Sequence, residues 1–234
     1  MKPKNGVLTG NQLKLFALVA MTCDHVGKAF FPNFTILQIF GRLAYPIFAY
    51  MIAEGCRYTK NRRRYLAVMV AVAVLCQVFY GLAEKSIYQC ILVTFSLSII
   101  LIYVIDCSIE NDTLKNRFYV LVTLLAIVFF TEGLPLILND TDFAIDYGLF
   151  GIILPVAVYY SEGKWAKLSA EGIFLLILSV YIGGMQWFSL LALIPLALYG
   201  GKRGKINLKY LFYIYYPAHL VVIYFIAKIL HFGM

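Results

Sequence analysis

Lys14, Asp24 and His25 stand in a stretch that is otherwise apolar, and their types and spacing bear on whether chemistry occurs there. An ionisable side chain inside a membrane helix costs about 2.5–3.5 kcal/mol on insertion scales, so each needs a partner or a task. Lys14 and His25 are eleven residues apart. That is about three turns, which puts both on one helix face roughly 16 Å apart along the axis. A ligand lying along this face would have an anionic head at Lys14 and a reactive end beside His25. A coenzyme A thioester has that shape, with phosphates at one end and an acyl group at the tip of a thin arm. The same spacing also suits a lysine that snorkels to the interface and a histidine that bonds a neighbouring helix, and it does not choose between these.

His25 is the natural general base, because an ordinary imidazole titrates near neutrality. Asp24 is its chain neighbour and so points about 100° away around the helix, which prevents it from orienting the His25 ring. Its partners are Lys28, one turn on, or Arg42 on the second helix. The alternative for Arg42 is to hold an acyl carbonyl oxygen or a substrate carboxylate. In "GRLAYPIFAYMIAEG" (41–55), a mid-helix Pro46 would free the Arg42 carbonyl and bend the span. Glu54 closes that segment, either as an ion-pair partner for Arg57 or Arg62 or as part of a substrate cavity. The loop "RYTKNRRR" (57–64) carries Arg57, Lys60, Arg62 and Arg63. It serves as a topology determinant, as a phosphate site for a nucleotide-bearing cofactor, or as both. "YIYYPAHL" (213–220) places His219 on one face with Tyr215 and Tyr216, beside a kink at Pro217. That cluster either lines a reaction cavity or ties two helices together.

The elements that carry these residues follow from composition. The chain is 62% hydrophobic, against about 45–50% for a soluble domain, and its long apolar runs have short polar punctuation. The reading is all-α: a polytopic helical membrane protein forming one compact membrane domain. The expected spans are 12–31, 34–54, 64–83, 87–106, 117–138, 145–161, 165–181, 185–199 and 208–230, about nine transmembrane helices. The formal net charge of +8 collects in short loops, as the positive-inside rule requires, so the charge marks the cytoplasmic side and does not point to nucleic acid. Loop 57–64 is then cytoplasmic, together with Lys2 and Lys4, Lys115 and Arg117, Lys164 and Lys167, and Lys202, Arg203 and Lys205. The acidic stretch 131–146 faces the other side. An odd number of spans puts the N-terminus in the cytoplasm and the C-terminus outside. Lys2 and Lys4 before an apolar run imitate a signal peptide, but no small-residue cleavage site follows, so the segment is read as a retained first helix. The five cysteines show no metal-ligand spacing and are read as structural.

"LKLFALVAMTCDH", "FGRLAYPIFAYMIAEGCRYTKNRRRYL", "LVTFSL", "DYGLFGIILP" and "YIYYPAHL" together resemble the TraX family of integral membrane proteins, in the same order along most of the chain. The family's named member is associated with N-terminal acetylation of conjugative pilin. The resemblance extends to the acyltransferase-3 superfamily, whose basic residue and first-helix histidine (R/K-x10-H) match Lys14 and His25. Its RxxR motif is not reproduced, since only Arg57 and Lys60 stand at that separation. The resemblance implies an acetyltransferase of the bacterial inner membrane that uses acetyl-CoA and no metal. It would acylate an amine or hydroxyl of a peptide, glycan or lipid acceptor. Lys14, Arg57, Lys60, Arg62 and Arg63 would bind the cofactor's phosphates, and His25 would act with Asp24 and Arg42. Tyr215, Tyr216, His219 and Glu54 would line the cavity. The competing expectation is a transporter or flippase in which Asp24, His25 and Arg42 form a relay at the midplane.

Overall fold

Short polar punctuation in the sequence sets where each helix starts and stops. The computed structural model describes residues 6–205 and 208–230; Lys2, Lys4 and His231 lie outside these. In chain order the helices are α1 (Gly10–Phe30), α2 (Thr35–Gly41), α3 (Ala44–Tyr58), α4 (Arg62–Ala83), α5 (Ile91–Glu110) and α6 (Leu114–Val128). After α6 come a π-helical turn (Phe129–Gly133) and α7 (Leu134–Ile137), then α8 (Gly148–Tyr160) and α9 (Lys164–Ile182). A 3₁₀ stretch (Gly184–Ala192), α10 (Leu193–Ala197) and α11 (Lys209–Ile229) complete the order. Among the described residues no β-strand forms, and only two isolated bridges occur, Leu8 with Tyr199 and Gln89 with Ile145.

Among the described residues, six helical segments are long and apolar enough to cross a bilayer: 35–58, 62–83, 91–110, 114–137, 164–182 and 211–229. The chain is a multi-pass membrane protein. Each of the nine expected segments overlaps helix, but α8 and the 184–197 stretch are short. α1 stands apart from the six, carrying Lys14, Asp24, His25 and Lys28.

The chain divides into two compact units. One contains the residues up to Met51 together with those from Glu162 onward, and the other is Ile52–Ser161. In the first unit, a capping box starts α1: the Thr9 amide donates to Gln12 Oε1 (2.8 Å) and the Gln12 amide to Thr9 Oγ1 (3.3 Å). The amides of Gly10 and Asn11 donate to the carbonyls of Lys202 and Arg203 at 2.8 and 3.0 Å. The 199–204 turn thus satisfies donors that the first helical turn leaves open. α1 and α11 run parallel, since their contacts ascend together: Lys14 with Phe212, Thr22 with Tyr215, and His25 with His219.

In the second unit α5 packs against α4, α6 and α8 and buries Ile99, Leu101 and Ile102 completely or nearly so. α6 instead turns Leu121, Val122 and Leu125 outward, as a lipid-facing helix does. The ends of this unit sort by charge. At one end Arg57 donates to the carbonyls of Tyr159 and Ser161, and Arg62 pairs with Asp106 (2.9 Å) and Glu110 (3.5 Å). At the other end Asp142 accepts from the Ser86 hydroxyl (2.5 Å) and the Ile87 amide (3.0 Å), which hold its carboxyl below the usual range. Beside it the Tyr88 hydroxyl donates to Asp146 (2.7 Å) and the Gln89 amide to the Ala144 carbonyl (2.8 Å).

One expectation is corrected. Within the 35–58 span Pro46 does not lie inside an unbroken α-helix. The helix stops at Gly41 and restarts at Ala44, so Pro46 sits in the first turn of α3, where no intrahelical N–H is required. A helix running through would have driven the proline ring into the Arg42 carbonyl, so the break forms upstream at Arg42 and Leu43.

Asp106 gathers three donors, because the hydroxyls of Tyr159 (2.7 Å) and Tyr160 (2.8 Å) join Arg62 on its carboxylate. Asp106→Ala is therefore expected to lower the thermal unfolding midpoint in detergent. The two part-buried tyrosine hydroxyls would each lose a hydrogen bond worth roughly 0.5–1.5 kcal/mol. Arg62, 42% exposed, adds little because water replaces its partner. An unchanged midpoint would show that this cluster does not hold the unit.

Candidate functional site

His25 on α1 and His219 on α11 meet ring to ring, with Nδ1 of His25 2.8 Å from Nε2 of His219. The ring planes are 7° apart with centroids at 4.9 Å. The nitrogen–nitrogen distance is shorter than the spacing of stacked rings, so the contact is an in-plane hydrogen bond. His219 Nδ1 lies 3.0 Å from the Tyr215 carbonyl one turn back. A carbonyl only accepts, so His219 Nδ1 carries a proton, which leaves Nε2 of the neutral ring as the acceptor. His25 then donates through Nδ1, and its Nε2 keeps a bare lone pair. For a pair of neutral rings, the network fixes the tautomer of both.

The sequence supports this arrangement locally. Pro217 interrupts the hydrogen-bond ladder of α11 next to His219, and the aromatic pair at 215 and 216 encloses its ring. Tyr215 lies parallel to it (5.4 Å, 8°) and Tyr216 edge-on (5.5 Å, 76°). His219 and Tyr216 are buried. The Thr22 hydroxyl donates to the Leu18 carbonyl (2.8 Å), so the Tyr215 hydroxyl, 2.7 Å from Thr22 Oγ1, is the donor between them.

A second cluster lies on another face of α1. Lys28 pairs with Asp24 Oδ2 at 2.6 Å. Arg42, at the α2–α3 break, approaches Asp24 Oδ1 only to 3.6 Å. Asp24 Oδ1 and Arg42 Nε are buried without a hydrogen bond. Asp24, Lys28 and Arg42 all lie near enough to His25 to act on it electrostatically. Gly41 permits this packing, because a Cβ there would overlap Asp24. Lys14 lies towards the N-terminal end of α1 with its ammonium 5.4 Å from the Phe212 ring. Lys14 and His25 therefore both face α11.

The first unit thus brings together Lys14, Asp24, His25, Arg42, Tyr215, Tyr216 and His219. Arg57, Lys60, Arg62, Arg63 and Glu54 belong to the other unit. There Arg57 and Arg62 are engaged with Tyr159, Ser161, Asp106 and Glu110, Lys60 and Arg63 are exposed, and Glu54 is buried. Thr22 and the His25–His219 bond were not legible in the sequence. The available signal was a single histidine in each of two otherwise apolar helices. Among the described residues no group of three or more His, Cys, Asp or Glu could hold a metal ion.

A family model described as TraX protein matches residues 9–227. The chain is similar to a probable fimbrial assembly protein, FimC of serogroup H1, from Dichelobacter nodosus. The two are 26% identical over 242 residues, covering 91% of this chain and 93% of that protein. A shorter similarity, 32% identity over 74 residues, links 32% of the chain to 28% of a protein described as uncharacterized from Rickettsia prowazekii (strain Madrid E). No solved structure matches the chain closely enough to be counted a relative.

The tight approach of Gly41 to Asp24 gives a paired test. Gly41→Ala is expected to destabilise the protein by about 1–3 kcal/mol through overpacking. Gly81→Ala in α4, where a Cβ meets nothing within 4 Å, is expected to be neutral or slightly stabilising. Equal unfolding midpoints for the two variants would remove Asp24–Gly41 packing from the account.

Proposed function

The chain belongs to the TraX family, and on that premise, together with the His25–His219 pair, we propose that it is a membrane acyltransferase. It moves an acyl group, in the simplest case acetyl, from cytoplasmic acyl-CoA to an amine or hydroxyl of a peptide, glycan or lipid acceptor. The observation that carries the reading is the tautomer lock, which leaves His25 Nε2 as an oriented base. His25 Nε2 takes the proton from the acceptor N–H or O–H as its nitrogen or oxygen attacks the thioester carbonyl. The charge that develops on the His25 ring is stabilised through Nδ1–H by His219 and, behind it, by the Tyr215 carbonyl. The same proton then passes from Nε2 to the departing thiolate, so coenzyme A leaves as its thiol and no metal is required.

Arg42 supplies a donor for the oxyanion, since its Nε is buried and unengaged and Asp24 is already held by Lys28. Lys14, about 16 Å from His25 along the face it shares with it, holds the anionic end of the cofactor. In the other unit Lys60 and Arg63 are exposed and add positive charge to the cytoplasmic surface, while Arg57 and Arg62 serve structure. Tyr215, Tyr216 and His219 shape the cavity wall. The protein is placed in the bacterial inner membrane with about nine crossings, N-terminus inside and C-terminus outside, and the parallel course of α1 and α11 supports opposite ends. The fimbrial name of the Dichelobacter relative is compatible with a surface-peptide acceptor. A proton-coupled transporter using Asp24, His25 and Arg42 is the competing reading. The 2.6 Å capture of Asp24 by Lys28 weighs against a freely titrating relay.

Detergent-purified protein with radiolabelled acetyl-CoA tests this. His25→Ala is expected to keep binding while turnover falls about 10²–10⁴-fold, and Lys14→Ala to bind weakly. His219→Ala is expected to lower turnover and shift its pH profile, because the His25 tautomer is no longer fixed. A wild type that neither binds nor cleaves acetyl-CoA or longer thioesters would exclude the acyltransferase reading.

A further inference from the structure

Cys76 lies near the end of α4, and Cys90 is the residue on which α5 starts. Both are free thiols in the structure, near enough to interact with each other, and both residues are buried, at 1% and 2% exposure. Gln77, next to Cys76, fixes the approach. Its Oε1 accepts from the Cys90 amide (2.9 Å) and its Nε2 donates to the Tyr88 carbonyl (2.9 Å). The turn between them is bonded to the acidic loop through Ser86, Ile87 and Tyr88 on Asp142 and Asp146. The other two cysteines of this unit, Cys56 and Cys107, lie at its opposite, arginine-bearing end. By the positive-inside rule that arginine-bearing end is cytoplasmic, so the 84–90 turn lies across the membrane, in a compartment where disulfides persist.

We infer that Cys76 and Cys90 are joined by a disulfide that staples the outer end of α4 to the start of α5. The inference goes beyond the acyltransferase reading and does not depend on it. Cys90 is the attacking sulfur, since it is the N-cap residue of α5, a helix N-terminus that favours a thiolate. The thiolate attacks one sulfur of a disulfide carried by a thiol–disulfide oxidoreductase, forming a mixed disulfide and releasing one carrier thiolate. The Cys76 thiolate then attacks the Cys90 sulfur and releases the second. Two protein thiols are oxidised, one carrier disulfide is reduced, and the two protons end on the carrier's thiols. The exchange takes place while the α4–α5 hairpin is still open during insertion, and burial afterwards shields the bond.

The test is direct. Cells producing the full chain are lysed in denaturant with excess N-ethylmaleimide, and the protein is digested without reduction and analysed by mass spectrometry. The expected result is one cross-linked peptide pair containing Cys76 and Cys90, with Cys23, Cys56 and Cys107 blocked by the reagent. Reductant should remove the cross-link and lower the unfolding midpoint by several degrees, and Cys76→Ser should free Cys90 for alkylation. Alkylation of both Cys76 and Cys90 in the wild type, or pairing of either with another cysteine, overturns the inference.

Discussion

The hydrogen bond between His25 and His219 is the interaction on which the candidate site depends. Imidazole in a hydrocarbon environment must find its partners within the protein, and these two rings find each other across the first and last described helices. Once they meet, the Tyr215 carbonyl decides which nitrogens carry protons. The parallel pairing of α1 and α11, the aromatic enclosure of His219 and the Thr22–Tyr215 contact all serve to keep that bond short and in plane. A pair of isolated histidines elsewhere in these helices would have been a cost. Here each ring supplies the other's partner.

The remaining ionisable groups follow the same constraint in different ways. Asp24 is neutralised by Lys28 within its own helix, with Arg42 as a second, longer ion-pair partner at 3.6 Å. Asp106 is satisfied by two tyrosine hydroxyls and Arg62 at the end of α5. Asp142 is engaged by the Ser86 hydroxyl and the Ile87 amide, and Asp146 by the Tyr88 phenol. Polar chemistry is therefore concentrated in a few knots, although Asp24 Oδ1, Arg42 Nε and both carboxyl oxygens of Glu171 are buried without a hydrogen bond.

Much of this was legible in the sequence, because it depends on local periodicity. Apolar runs between polar punctuation gave the helical segments, and the common face of Lys14 and His25 follows from an eleven-residue spacing. The Asp24–Lys28 pair follows from i,i+4 geometry, and the structure brings the lysine and the histidine to the same neighbour, α11. What the sequence did not disclose depends on separation. His25 and His219 are 194 positions apart, Thr22 and Tyr215 nearly as far, and no periodic pattern joins them. Nothing in the local pattern around Tyr159 and Tyr160 marks them as the hydroxyl donors to Asp106. The break before α3 was misplaced because a proline acts on residues upstream of itself, so Pro46 marks the discontinuity four residues late.

Pairing the first helix with the last has a consequence for biosynthesis. A chain emerging from the ribosome inserts α1 early, with His25 lacking its orienting partner until α11 has been made and docked in parallel beside it. The geometry that orients the His25 ring is thus absent until α11 is in place. A product released before that point would carry an imidazole in α1 with no partner nitrogen to fix its tautomer.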